Sequence, residues 1–198
     1  ESTPVDAAYR AKDGVDFLSM GDNSFPSKGF DQPWETSGTL NHSWGYHRLD
    51  FKWKPTGQLL RHLVDNTSRG GNYQLNVGPT DEGVFQPAAI RRLREIGAWM
   101  SVNGEAIQGT RPSKYPEPKW GRLTSKPMPD GGQRLNAFAY DPKPGGKLVL
   151  TGPPSPPKRA FLLETHEAIP VEATDGGFAF TLPANLPDPE IAVIAFEW

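Results

Sequence analysis

Alternation of apolar and polar residues predicts two strands in the first half of the chain. In VDFLSM, residues 15–20, Val15 and Phe17 alternate with polar positions, Leu18 adds a further apolar candidate, and Gly21 ends the run. In NYQLNV, residues 72–77, the apolar and amide side chains fall on opposite faces before Gly78, with Tyr73, Leu75 and Val77 against Gln74 and Asn76. Both segments read as short strands.

Helical spacing of apolar residues predicts two helices. TGQLLRHLVDNTSRGG, from Thr56, has a plausible cap at Thr56, a left-handed stop at Gly70, and one apolar face, made of Leu59, Leu60, Leu63, Val64 and Thr67. The second helix has Pro87 near its first turn and Gly104 beyond its end. Its apolar residues recur at helical spacing: Ala89, Ile90, Leu93, Ile96, Trp99 and Met100.

Beyond about residue 110, short apolar runs alternate with turn sequences. RLNAFAY, KLVLTG, AFLLE, GFAFTL and IAVIAFEW are separated by MPDGG, DPKPGG, GPPSPP and ATDGG. We therefore expect an antiparallel β-sandwich over residues 111–198, after a first domain, residues 1–110, in which strands and helices alternate as in parallel α/β folds.

The composition limits the partners and the reactive groups that the chain can use. The 198 residues carry a net charge of −2, without a basic footprint for nucleic acid or an anionic membrane. The absence of cysteine removes disulfides, thiol nucleophiles and cysteine metal sites. No apolar run is long enough to span a membrane, and the start lacks a signal-peptide pattern and reads as the middle of a protein. Acidic, histidine and aromatic side chains therefore remain as candidates.

The segment DQPWETSGTLNHSWGYH, residues 31–47, lacks hydrophobic periodicity and is predicted to be a loop. With Asp22, which follows the first strand, Glu35 could form a carboxylate pair for acid, base or nucleophilic chemistry at a glycosidic bond; a loop aspartate is also an ordinary turn former. The aromatics Trp34, Trp44 and Tyr46 could stack on sugar rings or simply pack the loop onto the body.

Other polar clusters have simpler interpretations. His42 and His47 could bind hydroxyl groups, but two histidines without a third ligand make a poor zinc site. Asp81 and Glu82 follow the second strand and place further carboxylates at the same edge. SRGGN is expected to cap a helix, since it lacks a phosphate-loop pattern. The basic residues of the second helix, Arg91, Arg92 and Arg94, are expected to form a solvated face.

Three stretches, in order and spacing, resemble one family. PWETSGTLNHSWGY, LLRHLVDNTSRGGNYQLNVGPTDEG and AIRRLREIGAWMSVNGEAIQGT are similar to the latter part of the catalytic barrel of the retaining α-L-fucosidases of glycoside hydrolase family 29, over roughly residues 15–110. The resemblance implies a partial (β/α) barrel followed by a β-sandwich. It also implies fucosylated glycans or small α-L-fucosides as substrates, with no cofactor and no metal.

The resemblance also implies roles for individual residues. Asp22 matches the general acid/base of some members, because it precedes Glu35 by the 13-residue interval seen there. Trp44 matches the aromatic residue that packs against fucose, and Trp34 and Glu35 match a motif near the site whose role is structural support. The family's nucleophile lies on a mid-barrel strand that precedes the matched region, so Glu35 or Asp31 is the candidate replacement.

Three strand and helix units cannot close a barrel of eight. We therefore expect the site to be completed by a homo-oligomer or by a complementing chain. The alternative is a catalytically inactive module that binds fucose-containing glycans through Trp44 and its neighbours.

Overall fold

A three-stranded parallel sheet comes first in the structure, a computed structural model that describes residues 16–198. Its strands are β1 (Leu18–Ser19), β2 (Trp34–Thr39) and β3 (Gly71–Asn76), in the order β1-β2-β3. The strands predicted within residues 15–20 and 72–77 are confirmed, although Val15 lies outside the described residues. Leu18 and Met20 are buried, whereas Phe17 is exposed, so the apolar face of β1 differs from the predicted one.

The central strand β2 contradicts the loop predicted over residues 31–47. Trp34–Thr39 pairs in parallel with both neighbours, and its register with β3 runs from Trp34↔Gly71 to Thr39↔Asn76. Its face toward the core contains threonine and glycine besides Trp34, so hydrophobicity does not alternate along it. The buried Thr36 hydroxyl donates to the Ser24 carbonyl at 3.0 Å, and a satisfied hydroxyl can occupy a core position.

The two predicted helices are confirmed as α1 (Thr56–Ser68) and α2 (Pro87–Asn103), and a 3₁₀ turn (Gly104–Ala106) follows α2. Leu59, Leu60 and Val64 bury the inner face of α1. Gly70, with φ of 83°, ends the connection to β3 in the left-handed region that favours glycine.

The N-terminal cap predicted for α1 is wrong by one residue. Pro55 occupies the cap position and makes no side-chain capping bond, while Thr56 is the first helical residue. The Thr56 hydroxyl instead bonds the carboxylate of Glu95 on α2. The hydroxyl is therefore used between two helices and not within one.

The predicted solvated face of α2 is wrong at Arg92, which is 8% exposed. Its guanidinium donates to the Lys54 carbonyl at 2.6 Å and to the Ala88 carbonyl at 3.0 Å, and it lies 5.3 Å from the centre of the Trp53 ring. Carbonyl acceptors and an aromatic face satisfy a buried cation, so the charge of Arg92 did not indicate exposure. Arg91 and Arg94 are exposed as expected.

Two antiparallel sheets enclose the second hydrophobic core. Their strands are β4 (Arg111–Pro112), β5 (Gly121–Pro127), β6 (Gln133–Tyr140), β7 (Lys147–Thr151), β8 (Arg159–Leu162), β9 (Val171–Thr174), β10 (Gly177–Thr181) and β11 (Ile191–Glu197). One sheet has the order β4-β5-β6-β11-β8 and the other β7-β10-β9. Side chains of both sheets, including Leu123, Phe178 and Phe196, share one cluster. This arrangement confirms the predicted fold class, a partial (β/α) barrel followed by a β-sandwich.

The chain forms two compact units whose boundary falls between Trp99 and Met100, within α2. The assignment of residues 1–110 to a catalytic domain and 111–198 to a sandwich domain stays a prediction. Among residues 16–198, neither helix has the length and apolar character needed to cross a bilayer.

Candidate active site

Three loops leave the carboxyl ends of the parallel strands, and parallel strands bring such loops to one edge of the sheet. We call them loop A (residues 20–33, after β1), loop B (40–55, after β2) and loop C (77–86, after β3). Of the predicted site residues, Asp22 lies on loop A, while His42, Trp44 and Tyr46 lie on loop B. Asp81 and Glu82 lie on loop C.

The backbone beside Asp22 is fixed by its neighbour Asn23. Asn23 adopts a positive φ of 50°, and its side-chain Oδ1 accepts from the Thr39 amide at 3.1 Å and from the Lys54 ammonium at 3.2 Å. The Asn23 amide donates to the Ser37 carbonyl at 2.9 Å. Loop A is therefore bonded to the end of β2 directly after the candidate acid/base.

Lys54 joins loop B to the same point. Its ammonium donates to the Thr39 carbonyl at 2.6 Å, to the Thr39 hydroxyl at 2.7 Å and to the Asn41 carbonyl at 3.2 Å. Burial lowers the pKa of Lys54, and the nearby Asp50 charge opposes that shift. With Asn23 as a further acceptor, one cation holds the start of loop B and the Asp22 segment of loop A together.

Asp50 closes loop B on itself. Its carboxylate is 8% exposed and accepts from the Ser43 amide at 2.8 Å and the Lys52 amide at 3.0 Å. Burial acts to raise the pKa of Asp50, but the hydrogen bonds from Lys52 and Ser43 outweigh it and the pKa is lowered. The residues on either side, Leu49 and Phe51, are exposed. An ionised aspartate thus shapes the loop that contains Trp44.

Trp44 is also held from β3 and loop C. The Asn76 side-chain amide donates to the Trp44 carbonyl at 2.5 Å. Gly78 lies so close that a Cβ there would be 2.8 Å from the Gly45 carbonyl carbon, which leaves no room for a larger residue. Trp44 itself is half-buried, while His42 and Tyr46 are exposed. Loop B therefore presents these three side chains from a backbone fixed on two sides.

Glu35 lies on the sheet and not on a loop. It is the second residue of β2, in register with Ser19 and Asn72, and alternation places it on the face opposite Trp34. On that face the Ser37 hydroxyl donates to the Gln74 side-chain oxygen at 2.7 Å. Since Asn23 bonds the carbonyl of Ser37, the backbone after Asp22 lies two residues beyond Glu35, roughly 7 Å along β2.

Trp34 is 1% exposed and packs with Leu18 and Met20. Its indole nitrogen donates to the Arg69 carbonyl at 3.3 Å, and a Cβ at Gly71 would lie 2.4 Å from the indole. The structure favours the packing interpretation for this residue. The substrate contacts predicted for Trp34, Trp44, Tyr46 and His42 stay predictions.

Sequence reasoning missed the residues that brace the loops, namely Asn23, Asp50 and Lys54. Each stands in a polar stretch without periodicity, where aspartate and asparagine read as turn formers and lysine as surface. Their partners are mostly backbone groups brought near by the parallel pairing, which no local pattern reveals. Among residues 16–198, no three His, Asp or Glu side chains come together as a metal site.

The sequence matches the α-L-fucosidase family over residues 4–105, just over half of its 198 residues. An α-L-fucosidase of Dictyostelium discoideum is 28% identical over 180 residues, which cover 86% of this chain and 39% of that protein. The structure of α-L-fucosidase isoenzyme 1 from Paenibacillus thiaminolyticus superposes with a TM-score of 0.81 at 33% identity, covering 91% of this chain and 44% of that one.

A family 29 α-L-fucosidase from Bacteroides thetaiotaomicron superposes with a TM-score of 0.75 at 26% identity, over 90% of this chain and 42% of that one. That enzyme was trapped as a covalent intermediate with 2-fluoro-fucosyl fluoride, using a glutamate-to-glutamine variant. The chain thus spans less than half the length of these relatives.

Proposed function

The chain belongs to the α-L-fucosidase family, and from that premise we propose that it hydrolyses terminal α-L-fucosides with retention of configuration. Fucosylated glycans or small α-L-fucosides are the substrates, and transfer to another hydroxyl acceptor is the related reaction. The main support is the braced edge of the parallel sheet, where Asp22 and Trp44 stand on loops that Lys54 and Asn23 bond to one point of β2.

Asp22 is proposed as the general acid/base. In the first step its carboxylic acid gives a proton to the departing glycosidic oxygen, while a second carboxylate attacks the anomeric carbon and forms a fucosyl ester. In the second step the Asp22 carboxylate takes a proton from a water molecule. The water oxygen attacks the anomeric carbon and releases the second carboxylate, which inverts the configuration a second time. A relative trapped as a covalent intermediate supports this route.

The second carboxylate is proposed to be Glu35 or Asp31, or a carboxylate of another chain. Glu35 is the better placed within the chain, because it lies on the polar face of β2 near the segment that carries Asp22. Retaining enzymes need the two carboxyl groups about 5–5.5 Å apart. Trp44 is proposed to pack against the fucose ring, with Tyr46 and His42 beside it on loop B.

A second chain, either another copy or a complementing polypeptide, is proposed to complete the site. Among the described residues, β1 and β3 each have a strand partner on one side only, and on the polar face of the sheet, beside Glu35, Asn72 and Gln74 are exposed. Parallel sheets are ordinarily covered on both faces. Light scattering should therefore give a mass above the 21.8 kDa of one chain, and an active monomer would remove this part of the proposal.

Hydrolysis of two α-L-fucosides, one with a 4-nitrophenyl and one with an alkyl leaving group, tests the assignments. Asp22→Asn should lower kcat by about 10²–10⁴-fold for the alkyl fucoside and less for the nitrophenyl one, whose leaving group needs little protonation. Glu35→Gln should abolish turnover of both. Asp81→Asn, an exposed carboxylate on loop C, is the matched control and should keep the wild-type rate.

The same measurements distinguish hydrolysis from the alternative function, which is fucose binding without catalysis. If the wild type turns over neither substrate but binds fucose in calorimetry, the chain is a fucose-binding module and the catalytic proposal fails. Full activity in Asp22→Asn or Glu35→Gln would remove that residue from its role. Trp44→Ala should weaken fucose binding under either function, and an unchanged affinity would remove it from the site.

A further inference from the structure

A cleft of about 450 Å³ opens in the sandwich unit, and none of the residues assigned above to the fucoside reaction lines it. It lies between the segment that follows β4, the start of β6 and Trp198. Small-molecule sites are typically concave spaces of about 300–1,000 Å³. The cleft is therefore large enough for a ligand of one or two sugar rings.

Two aromatic rings form its walls, and both are held in place without a ligand. The Trp198 indole nitrogen donates to the Ser155 carbonyl at 3.1 Å, and its ring lies 6.2 Å from that of Phe178 in the core. Tyr115 packs on Gly152, where a Cβ would lie 2.9 Å from the tyrosine ring. Since neither ring must be ordered on binding, a flat ligand face could stack at low entropic cost.

Arg134 lines the cleft, and its positive charge is already balanced by two carboxylates. The Arg134 guanidinium pairs with Glu197 at 2.6 Å and with Glu105 at 2.7 Å. A cation bound by two carboxylates gives little attraction to an anionic ligand. The Lys114 ammonium also lines the cleft, 5.3 Å from the centre of the Tyr115 ring, whose face it contacts. The electrostatics thus favour a neutral ligand over a phosphate or an acidic sugar.

Polar groups suited to hydroxyls stand beside the rings. The Gln133 side chain is exposed at the rim and offers both an amide donor and a carbonyl acceptor. The Ser113 hydroxyl accepts from the Tyr115 amide at 3.0 Å, which leaves its own proton for a ligand oxygen. Apolar ring faces with a few placed donors and acceptors match a molecule that has C–H faces and equatorial hydroxyls.

We propose that this cleft is a second carbohydrate site, which binds a neutral mono- or disaccharide between Tyr115 and Trp198 with Gln133 at its rim. The site lies in the sandwich unit and needs neither fucose nor the carboxylates of the parallel sheet. Its function would be to hold a glycan independently of cleavage. Failure of the fucosidase proposal would therefore leave it standing.

Titration of the intact chain with fucose-free neutral disaccharides, namely lactose, maltose and N,N′-diacetylchitobiose, tests the site. Two-dimensional NMR should show saturable shifts of the Trp198 indole N–H and the Gln133 amide with at least one of them. Tyr115→Ala and Gln133→Ala should each weaken binding about tenfold, a loss of roughly 1.4 kcal/mol. Phe51→Ala, an exposed aromatic of loop B, should leave the affinity unchanged.

Trp198→Ala should abolish binding, but Trp198 also packs on the core, so Gln133→Ala at the exposed rim is the decisive variant. Absence of saturable shifts with all three sugars at high millimolar concentration overturns the proposal. So does displacement of a bound sugar by inorganic phosphate, which would show an anion site. Binding that survives both Tyr115→Ala and Gln133→Ala overturns it as well.

Discussion

The parallel-sheet unit and the sandwich unit bury different kinds of side chain. In the sandwich, thirteen buried apolar residues form a single cluster between the two sheets. Among residues 16–99, the parallel-sheet unit has smaller clusters, one around Trp34 and one around Leu59, and it also buries Thr36, Thr39 and Asp50. Apolar burial supplies most folding free energy, whereas buried polar groups fix geometry through their hydrogen bonds. The candidate chemistry thus lies where burial is polar.

The buried polar groups of the two units also serve different purposes. The sandwich buries Thr124, which donates to the Ala106 carbonyl at 2.8 Å and accepts from Asn136 at 3.1 Å. The bond to Ala106 holds the 3₁₀ turn against β5, and none of these residues is a candidate for catalysis or binding. In the parallel-sheet unit, Lys54 donates to Thr39 at the end of β2 and to Asn41 and Asn23 on the loops that hold Trp44 and Asp22. Asp50 accepts from two backbone amides of loop B.

Phe178→Ala should give the largest loss of stability. The side chain is fully buried, with ring centres 4.9 Å from Phe196 and 6.3 Å from Phe180. Its truncation should lower the free energy of unfolding by about 3–5 kcal/mol, because a large cavity remains. Urea unfolding followed by circular dichroism measures this loss.

Val149→Ala is the control for that measurement, since Val149 lies on β7 with 47% of its surface exposed. It should cost no more than about 0.5 kcal/mol. Amide hydrogen exchange in Phe178→Ala then tests whether the two units unfold separately. If β3 loses as much protection as β10 in Phe178→Ala, the two units unfold as one cooperative body and not independently.

The sandwich was the more predictable unit, because strands such as β10 and β11 are continuous apolar runs bounded by turns. The strands missed there are β4, β5 and β9. They have few apolar residues: β4 is the dipeptide Arg111–Pro112, β5 has Leu123 as its one large apolar residue, and β9 has Val171 and Ala173. β9 lies at a sheet edge, where burial on one face is slight and the pattern is correspondingly weak.

For the parallel sheet and its helices, prediction succeeded for β1, β3, α1 and α2 and failed for β2. The family resemblance supplied Asp22 and Trp44, and periodicity contributed only their position after strands. The supporting residues stayed hidden because Lys54 and Asn23 meet only when β1 and β2 pair, across 31 positions of sequence. Local patterns report burial along one element, and such long-range polar contacts leave no periodic trace.

Tyr73 is a buried polar residue of the parallel sheet that we expect to lower the free energy of unfolding, most strongly at alkaline pH. Its hydroxyl is buried without a hydrogen-bond partner among the described residues, and burial raises its pKa to about 12. The folded pKa lies above the unfolded value of 10.0, so stability is intact below pH 10 and is lost as the pH rises toward 12. The loss should approach roughly 2–3 kcal/mol.

Tyr73→Phe removes the group responsible, so its unfolding free energy should stay flatter between pH 10 and 12. At pH 7 the variant should match or exceed the wild type by about 1 kcal/mol, because an unsatisfied buried hydroxyl is deleted. Tyr46→Phe, at an exposed tyrosine of loop B, is the control and should keep the wild-type pH profile. An unchanged alkaline transition in Tyr73→Phe would contradict the assignment.

Lys54→Met should have the smallest global effect and the most local one. The variant deletes the ammonium that Thr39, Asn41 and Asn23 share, and it leaves their oxygens, among them those of the buried Thr39, without that donor. The chain of methionine keeps the apolar stem, so the free energy of unfolding should fall by only about 1–2 kcal/mol. Hydrogen exchange should nonetheless accelerate at the amides of Thr39 and Ser43, while the amides of β10 stay unchanged.

Lys52→Met, at an exposed lysine on the same loop, should leave both amides at the wild-type rate. If Lys54 acts as a positioning residue, fucoside turnover should fall in Lys54→Met in proportion to the fraction of loops A and B released. The nitrophenyl and alkyl substrates should then lose equally, because no proton donor has been removed. Faster exchange with undiminished turnover would mean that the Lys54 hydrogen bonds stabilise loops A and B without serving the reaction. The buried polar groups of the parallel-sheet unit would then contribute to stability alone.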